Sequence, residues 1–260
     1  MDLFALLQNQ AALFLLMLAR MSGIFTLSPF LGSINIPPYV RVGTAFAMSL
    51  VLFPVVAAGS GIEAPPTVIA YAGSVLIEVF VGWLIGYVAF VTLSAIHLAG
   101  KVMDMQVGFS IVNVMDPTSG QQIPLIGSFL YNLGIIIFLV TNGHYMLISS
   151  LFESYGAVPI GGMVANSDLV NLVVDFTASI FMTGIKIALP ITFSILLTNV
   201  GLGILARTLP QLNIFVVGIP LQITVGIFVL TIVMPFYVMF LDVLFNGMYG
   251  NIVAAIRAIQ

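Results

Sequence analysis

The chain has 260 residues, of which 61% are hydrophobic and only 6% are charged, and its formal net charge is −3. In soluble domains roughly a quarter of all residues are charged, so this composition excludes a soluble globular protein and predicts an integral membrane protein. The six basic residues are scattered, which excludes the basic patch that nucleic-acid binding requires. The absence of cysteine excludes disulfides, thiolate metal ligands and thiol chemistry.

Long apolar runs follow one another along the chain and predict an all-α membrane fold. These six runs are 3–19, 42–58, 67–96, 125–152, 169–206 and 209–245. Arg20 closes the first run, and the Gly-, Ser- and Pro-rich stretch 22–38 predicts a re-entrant or surface connection. The run lengths scatter widely around the roughly 20 residues of a simple span. We therefore expect hairpins that cross only part of the bilayer and helices that pack mostly against other subunits.

Charged residues alternate between the connections of these runs. The basic residues of one side are Arg20, Arg41, Lys101 and Arg207, and the opposite side carries Glu63, Glu153, Asp168 and Arg257. Because cytoplasmic connections are enriched in Lys and Arg, this distribution predicts an outside N-terminus and a cytoplasmic 97–124 segment.

The third run carries a glycine pair and a single charged residue. Gly82 and Gly86 form a Gly-x-x-x-Gly pair, which lets a neighbouring helix approach closely. We predict a docking role for this pair, although such pairs are also common in apolar helices without one. Glu78 is the only charged residue of this run.

The segment 97–124 is the polar island of the chain. His97, Lys101 and Asp104 recur at i, i+4 and i+7, so they share one face of a predicted helix. At a spacing of three, Lys101 and Asp104 most simply neutralise each other, and the alternative is a role in subunit docking. His97 is interpreted as a structural or docking residue, a polar residue at a helix end, and the alternative is a role as a ligand.

Helix breakers enclose a short apolar stretch in the second half of this island. We call it the apolar tongue, and it comprises Gly108, Phe109, Ser110, Ile111, Val112, Asn113, Val114, Met115, Asp116 and Pro117. An apolar segment held on a polar loop suits a position in a pore or against a partner. The tongue is the leading candidate for a functional element.

No motif predicts a catalytic residue, a cofactor site or a metal site. Gly100-Lys101 lacks the glycine and the Ser or Thr that a phosphate-binding loop needs, and the two histidines lie 47 residues apart. Glu78, Asp104 and Asp175 could form a proton relay or an ion site, since ionisable residues in membrane segments are often functional. Their spacing does not bring two of them together.

The chain contains several short motifs that resemble those of the FliR family of flagellar type III export-gate proteins and their injectisome counterparts, and they occur in the order found in that family. The motifs include Gly100, Asp104, Gln106, Gly108-Phe109, Asp116-Pro117, Asn142-Gly143-His144, Ser154 before Pro159, Arg20-Met21-Ser22-Gly23, Pro37-Pro38 before Arg41, Leu189-Pro190, Gly201-Leu202-Gly203 and Arg207. Together they cover nearly the whole chain.

The resemblance implies an architecture of bent helical hairpins, with a FliP-like part at 1–168 and a FliQ-like kinked hairpin at 169–260. It also implies an export-gate core in the bacterial inner membrane, at the flagellar basal body, with one FliR, five FliP and usually four FliQ copies. FlhB-like and FlhA-like export components are expected neighbours. In the family a loop plugs the central passage, and by motif that loop falls within 108–122 here.

The resulting hypothesis is a non-enzymatic gate subunit, without a cofactor, that forms and plugs the conduit for unfolded export substrates. Two alternatives stay open at this point. The first is a stand-alone secondary transporter or channel that uses the carboxylates of Glu78, Asp104 and Asp175. The second is a pure assembly scaffold, in which Lys101, Asp104 and the glycine faces matter and the tongue does not.

Overall fold

A computed structural model describes residues 3–29, 32, 36–59, 65–109, 124–164, 167–211 and 213–260. Long α-helices account for most of them. They are α1 (Leu3–Leu27), α2 (Pro38–Gly59), α3 (Val68–Val107), α4 (Leu125–Val140), α5 (Gly143–Ala157), α6 (Ser167–Thr208) and α7 (Ile214–Arg257). No strand occurs in these ranges, which confirms the predicted all-α fold.

Five of these helices are long and apolar enough to cross a membrane, namely α1, α2, α3, α6 and α7. A sixth span results if α4 and α5 are counted as one broken span. This count refers to the described ranges, and it agrees with the six apolar runs of the sequence. The protein is therefore an integral membrane protein, as its composition predicts.

Two predicted helix ends are wrong. α1 continues to Leu27, so Arg20 lies inside a helix and the expected connection does not begin at residue 22. α3 continues to Val107, so His97, Lys101 and Asp104 share a helix as their spacing predicted, but His97 lies inside that helix and not at its end. For Arg20 and Asp104, the charged side chain is accommodated inside a helix because other parts of the chain supply partners for it.

The first compact unit comprises Met1–Val91, Asn142–Phe176 and Phe245–Gln260. Its core lies between α1 and α3, where Leu16, Met17, Val81 and Leu84 are almost completely buried. The end of the chain belongs to this unit as well: the Val164 N–H donates a hydrogen bond to the Ile259 carbonyl at 3.1 Å.

The second compact unit comprises Thr92–Thr141 and Thr177–Leu244. Ile96, Leu130 and Phe138 form part of its core. The Tyr237 hydroxyl of α7 donates a hydrogen bond to the Leu130 carbonyl of α4 at 3.0 Å. A Cβ on Gly226 of α7 would lie only 2.6 Å from a methyl carbon of Val107, so α7 closely approaches the end of α3.

Candidate functional site: a buried ion pair and the base of the apolar tongue

Arg20 of α1 and Glu78 of α3 form an ion pair in the interior of the first compact unit. Both side chains are 0% exposed. The Arg20 Nε donates to Glu78 Oε2 at 2.6 Å, and the Arg20 Nη2 donates to Glu78 Oε1 at 3.2 Å. This two-point geometry is the strong form of a guanidinium–carboxylate contact.

The remaining hydrogen-bonding groups of the pair are satisfied by α5 and the connection after it. Arg20 donates to the Ser154 hydroxyl at 3.1 Å and to the Val158 carbonyl at 3.0 Å. The Gly161 N–H donates to Glu78 Oε1 at 2.8 Å. The Tyr155 ring lies 4.3 Å from the guanidinium carbon and adds a cation–π contact. The pair therefore links α1, α3, α5 and the start of the α5–α6 connection.

Glycine makes the close approach of α1 and α3 possible. A Cβ on Gly82 would overlap the Arg20 carbonyl oxygen, and a Cβ on Gly23 would overlap the Val79 carbonyl oxygen. A Cβ on Gly86 would lie 3.1 Å from the Ile24 carbonyl oxygen. The helix that packs on the predicted Gly82–Gly86 pair is thus α1 of the same chain.

Sequence alone did not bring Arg20 and Glu78 together, because 58 residues separate them. One signal was available. Each is an isolated charge in an apolar stretch, and opposite charges in two membrane helices are most stable when they are paired.

Asp104 forms the second polar site, in the second compact unit. The residue is 3% exposed. Asp104 Oδ1 accepts a hydrogen bond from the Ile126 N–H at 2.9 Å, and Oδ2 accepts one from the Gly127 N–H at 2.9 Å. These N–H groups belong to the first turn of α4, where helical N–H groups have no intrahelical acceptor and a negative charge is favoured.

The partner of Asp104 differs from the one that its spacing from Lys101 indicated. Lys101 is exposed, and within the described residues Asp104 binds the start of α4 instead. α3 and α4 also touch at a glycine pair, because a Cβ on Gly100 would overlap the Cα of Gly127. His97, two turns earlier than Asp104, lies with its ring edge-on to Tyr131, at 5.9 Å between centroids.

The described part of the apolar tongue is its beginning. Gly108 is buried and has a φ of +97°, a left-handed conformation that favours glycine, and it ends α3. Phe109 is half-buried. The other predicted tongue residues, Ser110, Ile111, Val112, Asn113, Val114, Met115, Asp116 and Pro117, lie outside the described residues.

The three carboxylates of the transporter hypothesis have different surroundings. Glu78 binds Arg20 and the Gly161 N–H, and Asp104 binds two backbone N–H groups. Asp175 of α6 is exposed. Two of the three carboxylates are therefore already occupied by partners within the chain.

Comparison with known proteins identifies the relatives of this chain. Residues 11–248 match the model of the family described as bacterial export proteins, family 1. The chain is 34% identical over 227 residues to the flagellar biosynthetic protein FliR of Bacillus subtilis, covering 85% of each chain. It is 30% identical over 233 residues to FliR of Escherichia coli, covering 90% of this chain and 88% of the relative. The predicted resemblance is thereby confirmed, and the chain belongs to the FliR family of bacterial export proteins.

Proposed function

We propose that this chain is a non-enzymatic subunit of the flagellar type III protein export gate. It forms part of the conduit for unfolded export substrates, and its apolar tongue plugs that conduit. A single copy assembles with FliP-like and FliQ-like membrane subunits in the bacterial inner membrane, at the flagellar basal body and beside FlhB-like and FlhA-like components. The family and the names of the relatives support a role in flagellar export.

The observation that carries the proposal is the length of exposed apolar helix. α6 has 42 residues and α7 has 44. At 1.5 Å per residue each is about 60 Å long, roughly twice the hydrocarbon thickness of a bilayer. Exposed large apolar side chains occur along both helices, from Val170 to Leu205 on α6 and from Val216 to Val243 on α7.

Lipid covers only part of such a surface. Even at a tilt of about 40°, the upper end of the usual range, a bilayer core surrounds only about 40 Å of a helix. The rest of the apolar surface needs a protein cover, because water does not solvate it favourably. This supports a subunit of a larger assembly over a transporter that functions alone.

The base of the tongue supports the plug. Asp104 joins the last turn of α3 to the first turn of α4, so the chain leaves α3 and re-enters α4 at one fixed place. Gly100 and Gly127 bring the same two helices into backbone contact. A segment with both ends held in this way is suited to project as a tongue from a rigid base.

The predicted boundary between a FliP-like part and a FliQ-like hairpin remains part of this proposal. Residues 168 and 169 lie at the start of α6, so α6 and α7 constitute the proposed hairpin.

A hydrogen bond connects α5 to α7 on the surface of the first compact unit. The Tyr249 hydroxyl donates to the Glu153 carboxylate at 3.0 Å.

Deletion of residues 110–115 tests the plug. The expected result is that the chain still co-purifies with its FliP-like and FliQ-like partners while the membrane leaks ions, because the passage has lost its apolar closure. The control is deletion of residues 60–64 in the α2–α3 connection, which should leave the membrane ion-tight.

Three outcomes separate the hypotheses. An assembled complex with an ion-tight membrane after deletion of 110–115 contradicts the plug and favours the scaffold. Loss of assembly in the same variant places the segment in a subunit interface. A chain that is stable and transports a solute without partners contradicts the gate subunit altogether.

A further inference from the structure

Lys186 is an exposed cation in the middle of α6. In that helix 19 residues (167–185) precede Lys186 and 22 residues (187–208) follow it. Within the described residues its ammonium group takes part in no ion pair and no hydrogen bond. A charged group at such a position is costly in hydrocarbon unless it meets a partner.

Lys186 lies in an apolar seam on one face of α6. The apolar residues of the seam are all more than half exposed, and they are Met182, Leu189, Phe193, Leu197, Val200 and Ile204. Together with Lys186 they follow one another at intervals of three or four residues. That spacing places them in a single stripe and is the spacing of helices that pack side by side. We call these residues and Lys186 the Lys186 seam.

Lipid alone does not satisfy this seam. If Lys186 reaches the headgroups, the bilayer covers the helix on one side of it only. Each side is about 30 Å long and exposes large apolar side chains, such as Val174 before Lys186 and Phe193 after it. If Lys186 lies deeper, its charge has no counterion in hydrocarbon. Both placements require protein beside the seam.

A single charge in an apolar seam also restricts which helix can pack there. A lone polar residue in a helix–helix seam fixes the register, because the partner must present a matching group at the same height. For a lysine the matching group is a carboxylate.

We propose that the Lys186 seam is a docking surface for a membrane helix of a neighbouring subunit, and that this helix carries one carboxylate, which pairs with Lys186. This inference rests on the proposed function and deepens it, since it names the surface and the chemistry of the contact. The seam sets the register of the neighbouring helix, and the ion pair excludes helices without an acidic residue at that position.

Charge reversal tests the proposal in the co-expressed complex. The chain is produced with the FliP-like and FliQ-like proteins encoded by the same genome, and the yield of intact complex is measured. Lys186→Glu should lower that yield at least about tenfold, because it places two carboxylates side by side. Lys186→Arg should keep the yield within about twofold of wild type, since the charge is retained. Arg257→Glu, an exposed cation in the last turn of α7 and therefore outside the seam, is the matched control and should assemble normally.

The decisive step is a search for compensating substitutions. A single Asp→Lys or Glu→Lys substitution in a membrane helix of one partner should restore assembly of the Lys186→Glu variant. Normal assembly of Lys186→Glu would overturn the proposal and indicate a lysine in contact with lipid headgroups. Compensation by Asp116→Lys within this chain would overturn it as well. If the wild-type chain itself fails to assemble with these partners, the proposed function fails, and the two failures are thereby distinguished.

Discussion

Arg20 and Lys186 are both cations inside long apolar helices, yet their surroundings are opposite. Arg20 is fully buried and binds Glu78, Ser154, Val158 and the face of Tyr155 within its own compact unit. Lys186 is exposed along an apolar seam. The contrast separates a region held by contacts within the chain from a region for which we propose a neighbouring subunit.

The same contrast extends along the helices that carry the two cations. Around Arg20 and Glu78 the neighbouring side chains of α1 and α3, such as Met17 and Val81, are almost completely buried. On α6 and α7 large side chains such as Phe193 and Phe236 are more than half exposed. The first region resembles the interior of a finished protein, and the second resembles one half of an interface.

Breaking the buried pair should have the greatest consequence for stability. Arg20→Met leaves the Glu78 carboxylate buried without its cation, so we expect the free energy of unfolding in detergent micelles to fall by about 3–5 kcal/mol. The double variant Arg20→Met, Glu78→Met should recover a large part of this loss. Denaturant titration followed by tryptophan fluorescence measures both.

Lys186→Met is the matched control for Arg20→Met, because it makes the same substitution at the exposed cation. In the chain without partners it should change the free energy of unfolding by less than about 0.5 kcal/mol, because no internal contact is lost. A loss as large as that of Arg20→Met would show that Lys186 is a structural residue, and the contrast between the two regions would disappear.

A second prediction concerns the contact of α1 with α3. Gly82→Ala places a methyl group on the Arg20 carbonyl oxygen. It should lower the free energy of unfolding by about 1–3 kcal/mol, since the backbones of α1 and α3 have to separate. A Cβ on Gly73 of the same helix would meet no neighbouring atom within 4 Å. Gly73→Ala should therefore be neutral or stabilising by up to about 1 kcal/mol. Thermal unfolding of the two variants compares them directly, and equal effects would contradict the close approach.

A third prediction concerns the base of the apolar tongue. Asp104→Ala removes the acceptor of the Ile126 and Gly127 N–H groups. It should lower the free energy of unfolding by about 2 kcal/mol. Gln106→Ala, at an exposed position of the same helix, should cost less than about 0.5 kcal/mol. Hydrogen exchange at the first turn of α4 should accelerate in the Asp104 variant alone. Unchanged exchange there would mean that Asp104 does not hold α4 in solution.

The smallest expected effect comes from comparing substitutions at two adjacent residues of α7, the buried Tyr237 and the exposed Phe236. Tyr237→Phe removes the hydrogen bond to the Leu130 carbonyl and should lower the free energy of unfolding by about 1 kcal/mol. Phe236 is 67% exposed. Phe236→Ala should leave the stability of the chain unchanged and reduce the yield of the co-expressed complex. If Phe236→Ala instead destabilises the chain without partners, the exposed face of α7 is not an interface.

Hydropathy alone predicted the class of this protein and the positions of its apolar helices, which in the described residues are five long helices and one bent pair. An apolar run of sufficient length has few alternatives to a helix in a membrane, so local composition determines that result. The helix ends were less predictable. A lone Arg20 or His97 is a reasonable end signal in isolation, and it becomes compatible with a continuing helix only through contacts made far along the chain.

The two polar sites likewise depend on contacts between residues that are far apart in the sequence. Asp104 was selected from its place in the polar island, but the spacing pointed to Lys101, whereas the actual partners lie 22 and 23 residues further along. The Arg20–Glu78 pair spans 58 residues and has no local pattern. The tongue residues 110–117 lie outside the described residues, so their role remains a prediction.

The mass of the intact complex decides whether this chain is one subunit of a larger gate. We expect the chain, co-expressed with its FliP-like and FliQ-like partners, to be recovered as one copy in a hetero-oligomer that contains several copies of each. Recovery from this co-expression of only a monomer, or of a symmetric assembly of this chain alone, would contradict the proposed gate subunit.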